Sequence, residues 1–236
     1  MMEYAVVDTE SSGLFDWKKP ADAPGQPRMA AMGIILIDEK FNVQSSHGFL
    51  IKPDGWVFDD DCEAAKVNGL TQSLLVSDGV SVREPLRIYG EAIDSRRIIV
   101  GFNILHDLKM LRAEARHVGF PDRYMQTRYI CVMQGCRQIV DARTADGRKK
   151  APRLEEACAH FGIEVAGAQH QALPDTERAY EILLRLRDAG CVPEFTDPYD
   201  KGKPKKPAAR PQGQAYEEQV LAEQGDFLRG ASEDGK

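Results

Sequence analysis

The sequence predicts an α/β fold in which a mixed five-stranded sheet, an antiparallel meander followed by parallel strands, is flanked by helices. Two observations predict it. Three apolar segments lie close together in the first 51 residues with turn-like breaks between them, which favours an antiparallel meander. Further along the chain, apolar strand segments alternate with segments whose apolar residues recur at helical spacing, which is typical of strands connected by helices.

The individual elements follow from local patterns. Short apolar runs predict strands at residues 5–7, 32–37, 49–51, 98–100 and 129–132. Apolar residues at helical spacing predict helices around residues 82–93, 108–118, 154–161 and 179–186, and a glycine ends each of the last three. Residues 15–28, rich in proline, glycine and charge, and the basic segment 141–153 are predicted to be loops.

Composition excludes several classes of protein. Charged residues are 29% and apolar residues 42%, as in an ordinary soluble globular domain, and no apolar run approaches the roughly 20 residues of a membrane span. Five cysteines without a Cys-x-x-Cys pair argue against a zinc site or a disulfide framework. Together with an N-terminus that lacks a signal-peptide pattern, they predict a cytoplasmic protein with no membrane partner.

The net charge of −6 argues against a protein that coats nucleic acid by bulk electrostatics. It does not exclude an enzyme that acts on nucleic acid, because metal ions can supply positive charge locally. After about residue 191 the chain becomes rich in proline, lysine and arginine. We therefore expect a catalytic domain over residues 1–192, followed by a linker and a short tail over residues 193–236. The tail is either disordered or docks a polymerase or another protein.

Acidic residues occur at three places where a predicted strand ends or a helix begins. Asp8 and Glu10 lie two positions apart at the end of the first strand, so that strand geometry points both side chains to one face. Asp107 lies at the start of a helix, and Asp175 opens the last helix, five positions after His170. Each motif alone is compatible with a surface acid or a helix-start charge. The ordered set supplies four oxygen ligands and a base, which a two-metal nuclease needs.

These motifs resemble those of the DEDDh-type 3′–5′ exonucleases of the DnaQ-like, ribonuclease H-like superfamily, over about residues 4–188. Residues 6–14, Val-Val-Asp-Thr-Glu-Ser-Ser-Gly-Leu, are similar to the family's first motif, a strand ending in Asp-Thr-Glu-Thr-Thr-Gly-Leu. Residues 28–33 resemble its second strand, residues 103–107 its Asn-x-x-Phe-Asp motif, and residues 170–175 its His-x-Ala-x-x-Asp motif. The resemblance implies the ribonuclease H-like fold.

The resemblance also implies a role for each motif residue. The ligands of two divalent cations, Mg²⁺ or Mn²⁺, would be Asp8, Glu10, Asp107 and Asp175. The general base would be His170, and the reaction would be the removal of nucleoside 5′-monophosphates from 3′ ends.

A pocket for the terminal nucleotide would be formed by Thr9, Ser11, Leu14 and Asn103. Two departures from the family pattern bear on this pocket. His106 stands where relatives have Phe and is a rival to His170 as the base. Residues 67–70, Val-Asn-Gly-Leu, stand where relatives often have a His-Gly-Ile turn.

The sequence thus predicts a metal-dependent 3′–5′ exonuclease that acts on single-stranded 3′ ends, with DNA favoured over RNA, in proofreading or in DNA repair or degradation. Two alternatives stay open. One is an exoribonuclease acting on RNA 3′ ends, because no residue reports on the ribose 2′-hydroxyl. The other is a non-catalytic nucleic-acid-binding adaptor that keeps the fold.

Overall fold

The computed structural model describes residues 2–164 and 171–199. Within these residues a five-stranded sheet has the order β3-β2-β1-β4-β5. The first three strands are antiparallel neighbours, whereas β4 is parallel to β1 and β5 is parallel to β4. The strands are β1 (Tyr4–Ser11), β2 (Met29–Ile37), β3 (Val43–Leu50), β4 (Ile98–Gly101) and β5 (Tyr129–Cys131). The predicted meander followed by parallel strands is confirmed.

Seven α-helices lie within the described residues, three more than the sequence predicts. The helices are α1 (Glu63–Asn68), α2 (Gln72–Asp78), α3 (Arg83–Asp94), α4 (Leu105–His117), α5 (Val132–Cys136), α6 (Leu154–Phe161) and α7 (Ala172–Asp188). The short helices α1, α2 and α5 were not predicted, and Val132, which we placed in a strand, begins α5. None of the described helices is long and apolar enough to cross a membrane.

The sheet separates two apolar cores, and alternation along β1 decides which side chain enters which core. Ala5 and Val7 pack with α3 and α4 on one face, whereas Tyr4 and Val6 pack with α5, α6 and α7 on the other. Because side chains alternate along a strand, Asp8 and Glu10 continue the face that α7 covers. Thr9, between them, points to the α4 side.

A glycine in β2 allows α7 to lie directly on the sheet. Gly33 is the register partner of Asp8. A β-carbon at this position would lie 2.2 Å from Thr176 Oγ1 and 2.5 Å from the Ala172 carbonyl oxygen, both in the first turns of α7. The missing side chain therefore lets the N-terminus of α7 approach the strand that carries Asp8.

The predicted loop over residues 15–28 is ordered around one buried side chain. The Gln26 amide accepts a hydrogen bond from the Asp16 N–H and donates to the carbonyl oxygens of Asp16, Lys19 and Pro20. The loop is closed where the Ser12 N–H donates to the Arg28 carbonyl oxygen at 2.9 Å.

The chain beyond residue 192 continues to contact the sheet. Thr196 forms an antiparallel bridge with Tyr129 of β5, and the Arg128 guanidinium lies over the Phe195 ring. The domain boundary at residue 192 stays a prediction, and these contacts favour including residues 193–199 in the catalytic unit.

Candidate active site

Three carboxylates from two elements converge at the end of β1. Asp8 and Glu10 extend from the strand, and Asp175 lies in the first turn of α7. One carboxylate oxygen from each of the three lies within 4.8 Å of the others. The close approach of α7 at Gly33 explains this convergence, because it brings the helix start onto the strand face that presents Asp8.

Asp107 reaches the same place from the opposite face of the sheet. It lies in the first turn of α4 and is 3% exposed. Its Oδ1 accepts hydrogen bonds from both the N–H and the hydroxyl of Thr9, each at 2.8 Å. The residue between the two acids of β1 therefore fixes the carboxylate from α4.

Asp175 is buried beside a cation. Arg178, one turn further along α7, donates from Nη1 to Asp175 Oδ1 at 2.6 Å, and both side chains are largely buried. This ion pair orients the Asp175 carboxylate and offsets part of the negative charge of the cluster.

Burial and crowding raise the pKa of three of these carboxyl groups. Burial raises the pKa of Asp107 to about 7, although the Thr9 hydrogen bonds lower it. Burial and the charges of Asp175 and Asp107 raise the pKa of Glu10 to about 8. The pKa of Asp8 is raised well above its usual range by burial and by the other three carboxylates. These shifts reflect the free-energy cost of several negative charges in one buried place, which a bound cation would relieve.

The donor set fits a hard divalent metal ion. All four candidate ligands are carboxylates, and carboxylate oxygens are the ligands that Mg²⁺ and Mn²⁺ prefer. The cluster of Asp8, Glu10 and Asp175 could therefore hold a metal ion.

The sequence profile of the exonuclease family (RNase_T) matches residues 5–183. The chain belongs to this exonuclease family. The match covers all four acidic positions and extends from β1 into α7. No curated protein is significantly similar to the chain in sequence.

Solved structures of exonucleases share the fold. Exonuclease I of E. coli in complex with a dT13 oligonucleotide superposes with a TM-score of 0.64 at 19% identity, over 80% of this chain and 43% of that chain. Exonuclease I from Methylocaldum szegediense gives 0.64 at 18% identity, over 80% and 41%. A 3′-exonuclease that recognises the 3′ end of the histone mRNA stem-loop gives 0.63 at 11% identity, over 89% and 72%. The chain thus spans less than half the length of the Exonuclease I chains.

The four residues predicted to contact the terminal nucleotide differ in their surroundings. Both donors of Thr9 bond to Asp107, and the Ser11 hydroxyl donates to the Gly13 carbonyl oxygen at 2.7 Å. Leu14 is 40% exposed and can contact a ligand, whereas Asn103 is half-buried in a left-handed turn before α4. Their assignment to the nucleotide pocket stays a prediction.

Two residues at the site were not among those predicted. Arg178 pairs with Asp175, as described above. Asn68, buried at the end of α1, donates to the Ser11 carbonyl oxygen at 3.4 Å, and its hydrogen bond with Glu10 lowers the pKa of that acid. The signal for Asn68 was the Val-Asn-Gly-Leu segment. Arg178 carried no signal, because an arginine at helical spacing from an acid is common.

Of the two candidate bases, His106 lies within the described residues. His170 lies outside the described residues, so its role stays a prediction. His106 packs edge-on against Phe15, with ring centroids 5.5 Å apart, and burial with the nearby Lys109 charge lowers its pKa to about 4. A side chain packed in this way acts as part of the loop core, much as a Phe would.

Proposed function

We propose that this chain is a metal-dependent 3′–5′ exonuclease that removes nucleoside 5′-monophosphates from single-stranded DNA ends. The observation that carries the proposal is the convergence of Asp8, Glu10 and Asp175 within 4.8 Å, beside an Asp107 that Thr9 fixes in place. Membership of the exonuclease family supports it independently.

The proposed ligands of two divalent cations, Mg²⁺ or Mn²⁺, are Asp8, Glu10, Asp107 and Asp175. Bound divalent ions lower the pKa of an attacking water and stabilise the charge that develops on the phosphate. The protein's own part is to hold the carboxylates. Thr9 fixes Asp107 through two hydrogen bonds, and Arg178 fixes Asp175 through an ion pair.

The remaining residues would place the strand end and move the proton. Leu14 offers an exposed apolar side chain, four residues after Glu10, on which the terminal base can pack. In this proposal Thr9, Ser11 and Asn103 complete the nucleotide pocket through their backbone or remaining polar groups. His170 takes the proton from the attacking water as general base.

RNA is the alternative substrate. The Exonuclease I structures that share the fold hold DNA oligonucleotides, which favours DNA. The exonuclease that recognises a histone mRNA stem-loop shares the fold over a larger part of both chains, which favours RNA. The fold accommodates both, so the sugar preference must be measured.

The test uses 5′-labelled and 3′-labelled single-stranded DNA and RNA of the same sequence, with Mn²⁺ or Mg²⁺. A 3′–5′ exonuclease gives a ladder of shortening 5′-labelled products and releases the 3′ label first as a mononucleotide. Asp8→Asn should abolish the ladder, whereas Asp188→Asn, an exposed acid at the far end of α7, should not change it. Internal cleavage, or equal activity of Asp8→Asn, would contradict the proposal.

We also propose that the predicted linker and tail over residues 193–236, apart from the part up to residue 199 that contacts the sheet, dock a partner such as a polymerase. A protein ending after residue 199 keeps the Thr196 bridge and should degrade a short single strand at the rate of the whole chain. A large loss on a trinucleotide would place the tail within the catalytic unit.

A further inference from the structure

A cavity of about 490 Å³ lies at the same end of the sheet as the candidate active site. It opens between the end of β3, the start of α3 and the end of α4. The residues that matter for its chemistry are Arg28, Lys52, Asp54, Trp56, Arg83 and His117. Cations therefore outnumber acids around its mouth, and one large aromatic side chain forms part of its wall.

Two structural links place this cavity close to the catalytic carboxylates. The Arg28 N–H donates to the hydroxyl of Ser12, and the Arg28 carbonyl oxygen accepts from the Ser12 N–H; Ser12 lies two residues after Glu10. Glu114, which also lines the cavity, follows Asp107 on α4 by seven residues, or about 10 Å along the helix axis. A strand whose 3′ end reaches Asp107 would therefore extend to the cavity within a few nucleotides.

One wall of the cavity is rigid. The Arg28 guanidinium donates to both oxygens of Glu114, at 2.8 and 2.9 Å, and lies 5.3 Å from the centroid of the Trp56 ring. The Trp56 ring also meets Phe58 edge-on, with centroids 6.4 Å apart. The wall thus presents a fixed, partly exposed aromatic side chain beside a fixed cation.

The other wall carries cations that no acid neutralises. Lys52 and Arg83 are exposed, and neither forms an ion pair with a carboxylate in the described part of the chain. Arg83 is positioned by the Val118 carbonyl oxygen at 2.6 Å and by the Phe120 ring. Two acids line the cavity within the described part of the chain: Glu114, which pairs with Arg28, and Asp54, which forms no ion pair with the arginines of the cavity.

In a second, smaller cavity the arginine side chains are paired with carboxylates. It has a volume of about 160 Å³ and lies between α3 and α4. Its three arginines, Arg87, Arg112 and Arg123, pair with Glu91, Asp122 and Asp94 respectively. Positive charge there is already neutralised within the protein, whereas Lys52 and Arg83 at the larger cavity can bind an external anion.

We propose that the larger cavity binds an upstream nucleotide of the substrate strand, with its phosphate contacted by Lys52 and Arg83 and its base stacked on Trp56. Phosphate contacts from exposed cations combined with stacking on an aromatic ring are typical of single-strand binding. This inference rests on the proposed function, because it extends the same strand beyond the terminal nucleotide. Asp54 opposes the phosphate and limits the affinity.

The first test is binding of a fluorescein-labelled single-stranded 12-mer, followed by anisotropy without divalent metal so that no hydrolysis occurs. Lys52→Glu should weaken binding several-fold, and adding Arg83→Glu should weaken it further. The double change should also lower the salt dependence by about one unit of slope per lost phosphate contact. Lys40→Glu is the matched control, because it reverses the same charge in the β2–β3 turn at the opposite end of the sheet.

Three further variants separate stacking and charge from damage to the fold. Trp56→Phe should bind almost as well as the unchanged protein, whereas Trp56→Leu, which keeps an apolar side chain but no aromatic ring, should bind more weakly. Asp54→Asn should bind more tightly, because it removes the opposing charge. If Lys40→Glu weakens binding as much as Lys52→Glu, or if Asp54→Asn has no effect, the cavity is not the binding site.

Hydrolysis separates this inference from the proposed function. On a dinucleotide without a 5′ phosphate, whose one phosphate is the scissile one, the Lys52→Glu/Arg83→Glu protein should match the unchanged protein, and on the 12-mer it should show a raised KM. Equal losses on both substrates would overturn the inference and leave the exonuclease assignment intact. If the unchanged protein hydrolyses neither substrate, the proposed function fails, and the anisotropy result still decides whether the cavity binds a strand.

Discussion

Helix α4 carries two buried carboxylates that are stabilised in opposite ways. Glu114 is 1% exposed and is neutralised by Arg28, which donates two hydrogen bonds to it, while the Met29 N–H donates a third at 2.9 Å. Asp107 is 3% exposed and accepts its hydrogen bonds from the neutral donors of Thr9, with Asp8 and Glu10 nearby.

The difference shows how a structural acid can be distinguished from a proposed metal ligand. Arg28 neutralises the charge of Glu114 within the protein, so Glu114 needs no external cation. Its hydrogen bonds to Arg28 and Met29 connect α4 to the start of β2. The charge of Asp107 adds to those of its neighbours, which fits our proposal that external cations complete the site. Burial is nearly the same for both acids, and the difference lies in the charge of their partners.

Removal of the balanced acid should have the largest effect on stability. Glu114→Ala leaves the Arg28 guanidinium without its partner, and should cost about 3–5 kcal/mol, as for other broken buried pairs. Urea unfolding measures this. The double change Arg28→Met/Glu114→Leu should be less destabilising than Glu114→Ala alone. If Glu114→Ala is as stable as the unchanged protein, the pair is not a structural element.

Removal of the unbalanced acid should instead affect activity. Asp107→Asn keeps the shape of the side chain but removes a proposed metal ligand, and should lower the hydrolysis rate by about 10²–10³-fold or more, because charge stabilisation in the transition state is lost. Its metal-free melting temperature should be equal or higher, since repulsion is relieved. A rate near that of the unchanged protein would remove Asp107 from the ligand set.

Arg178 combines features of both acids: like Arg28 it neutralises a buried carboxylate, but that carboxylate, Asp175, belongs to the candidate site. Arg178→Gln should cost about 1–3 kcal/mol in the metal-free protein, as Asp175 loses a buried charged partner. Mn²⁺ should recover part of this loss, because it supplies another cation to the same carboxylate. Thermal melting with and without Mn²⁺ measures both values, and the Mn²⁺-induced rise should be larger in Arg178→Gln than in the unchanged protein.

The smallest effect concerns pH. The pKa of Glu10 is raised from 4.5 to about 8 and that of Asp107 from 3.8 to about 7. At a pH between the lower and the raised pKa of each group, the folded protein therefore binds more protons than the unfolded chain. The metal-free protein should therefore lose a few degrees of melting temperature as pH rises from 5 to 8. Asp8→Asn should reduce this loss. A melting temperature that rises over this range would contradict these pKa shifts.

The sequence predicts the site better than its surroundings. The acids of β1, α4 and α7 follow strong strand and helix patterns, so their positions could be inferred from the chain alone. The helices α1 and α2 have six and seven residues and pack as a small separate cluster with Phe58 and Leu75, so their periodicity is too short to detect. β3 lies at the edge of the sheet and is mostly polar, so only its apolar end was predicted.

Contacts between distant residues could not be predicted. The hydrogen bonds between Thr9 and Asp107 join positions 98 residues apart, and the Arg28–Glu114 pair joins positions 86 apart. Gly33 gave no signal of its role, because its importance depends on α7 lying against it. Local patterns indicate which elements form, whereas these long-range contacts set the geometry of the site.

In the proposed site, protonated carboxyl groups exchange their protons for divalent metal ions. Calorimetric titration of Mn²⁺ into the metal-free protein, in two buffers of different ionisation enthalpy, measures the protons released on binding. Because the pKa of Glu10 is about 8 and that of Asp107 about 7, we predict release of roughly one proton or more at pH 7 and almost none at high pH. Mn²⁺ binding without proton release at pH 7, or unchanged binding after Asp8→Asn, would contradict this exchange of protons for metal ions.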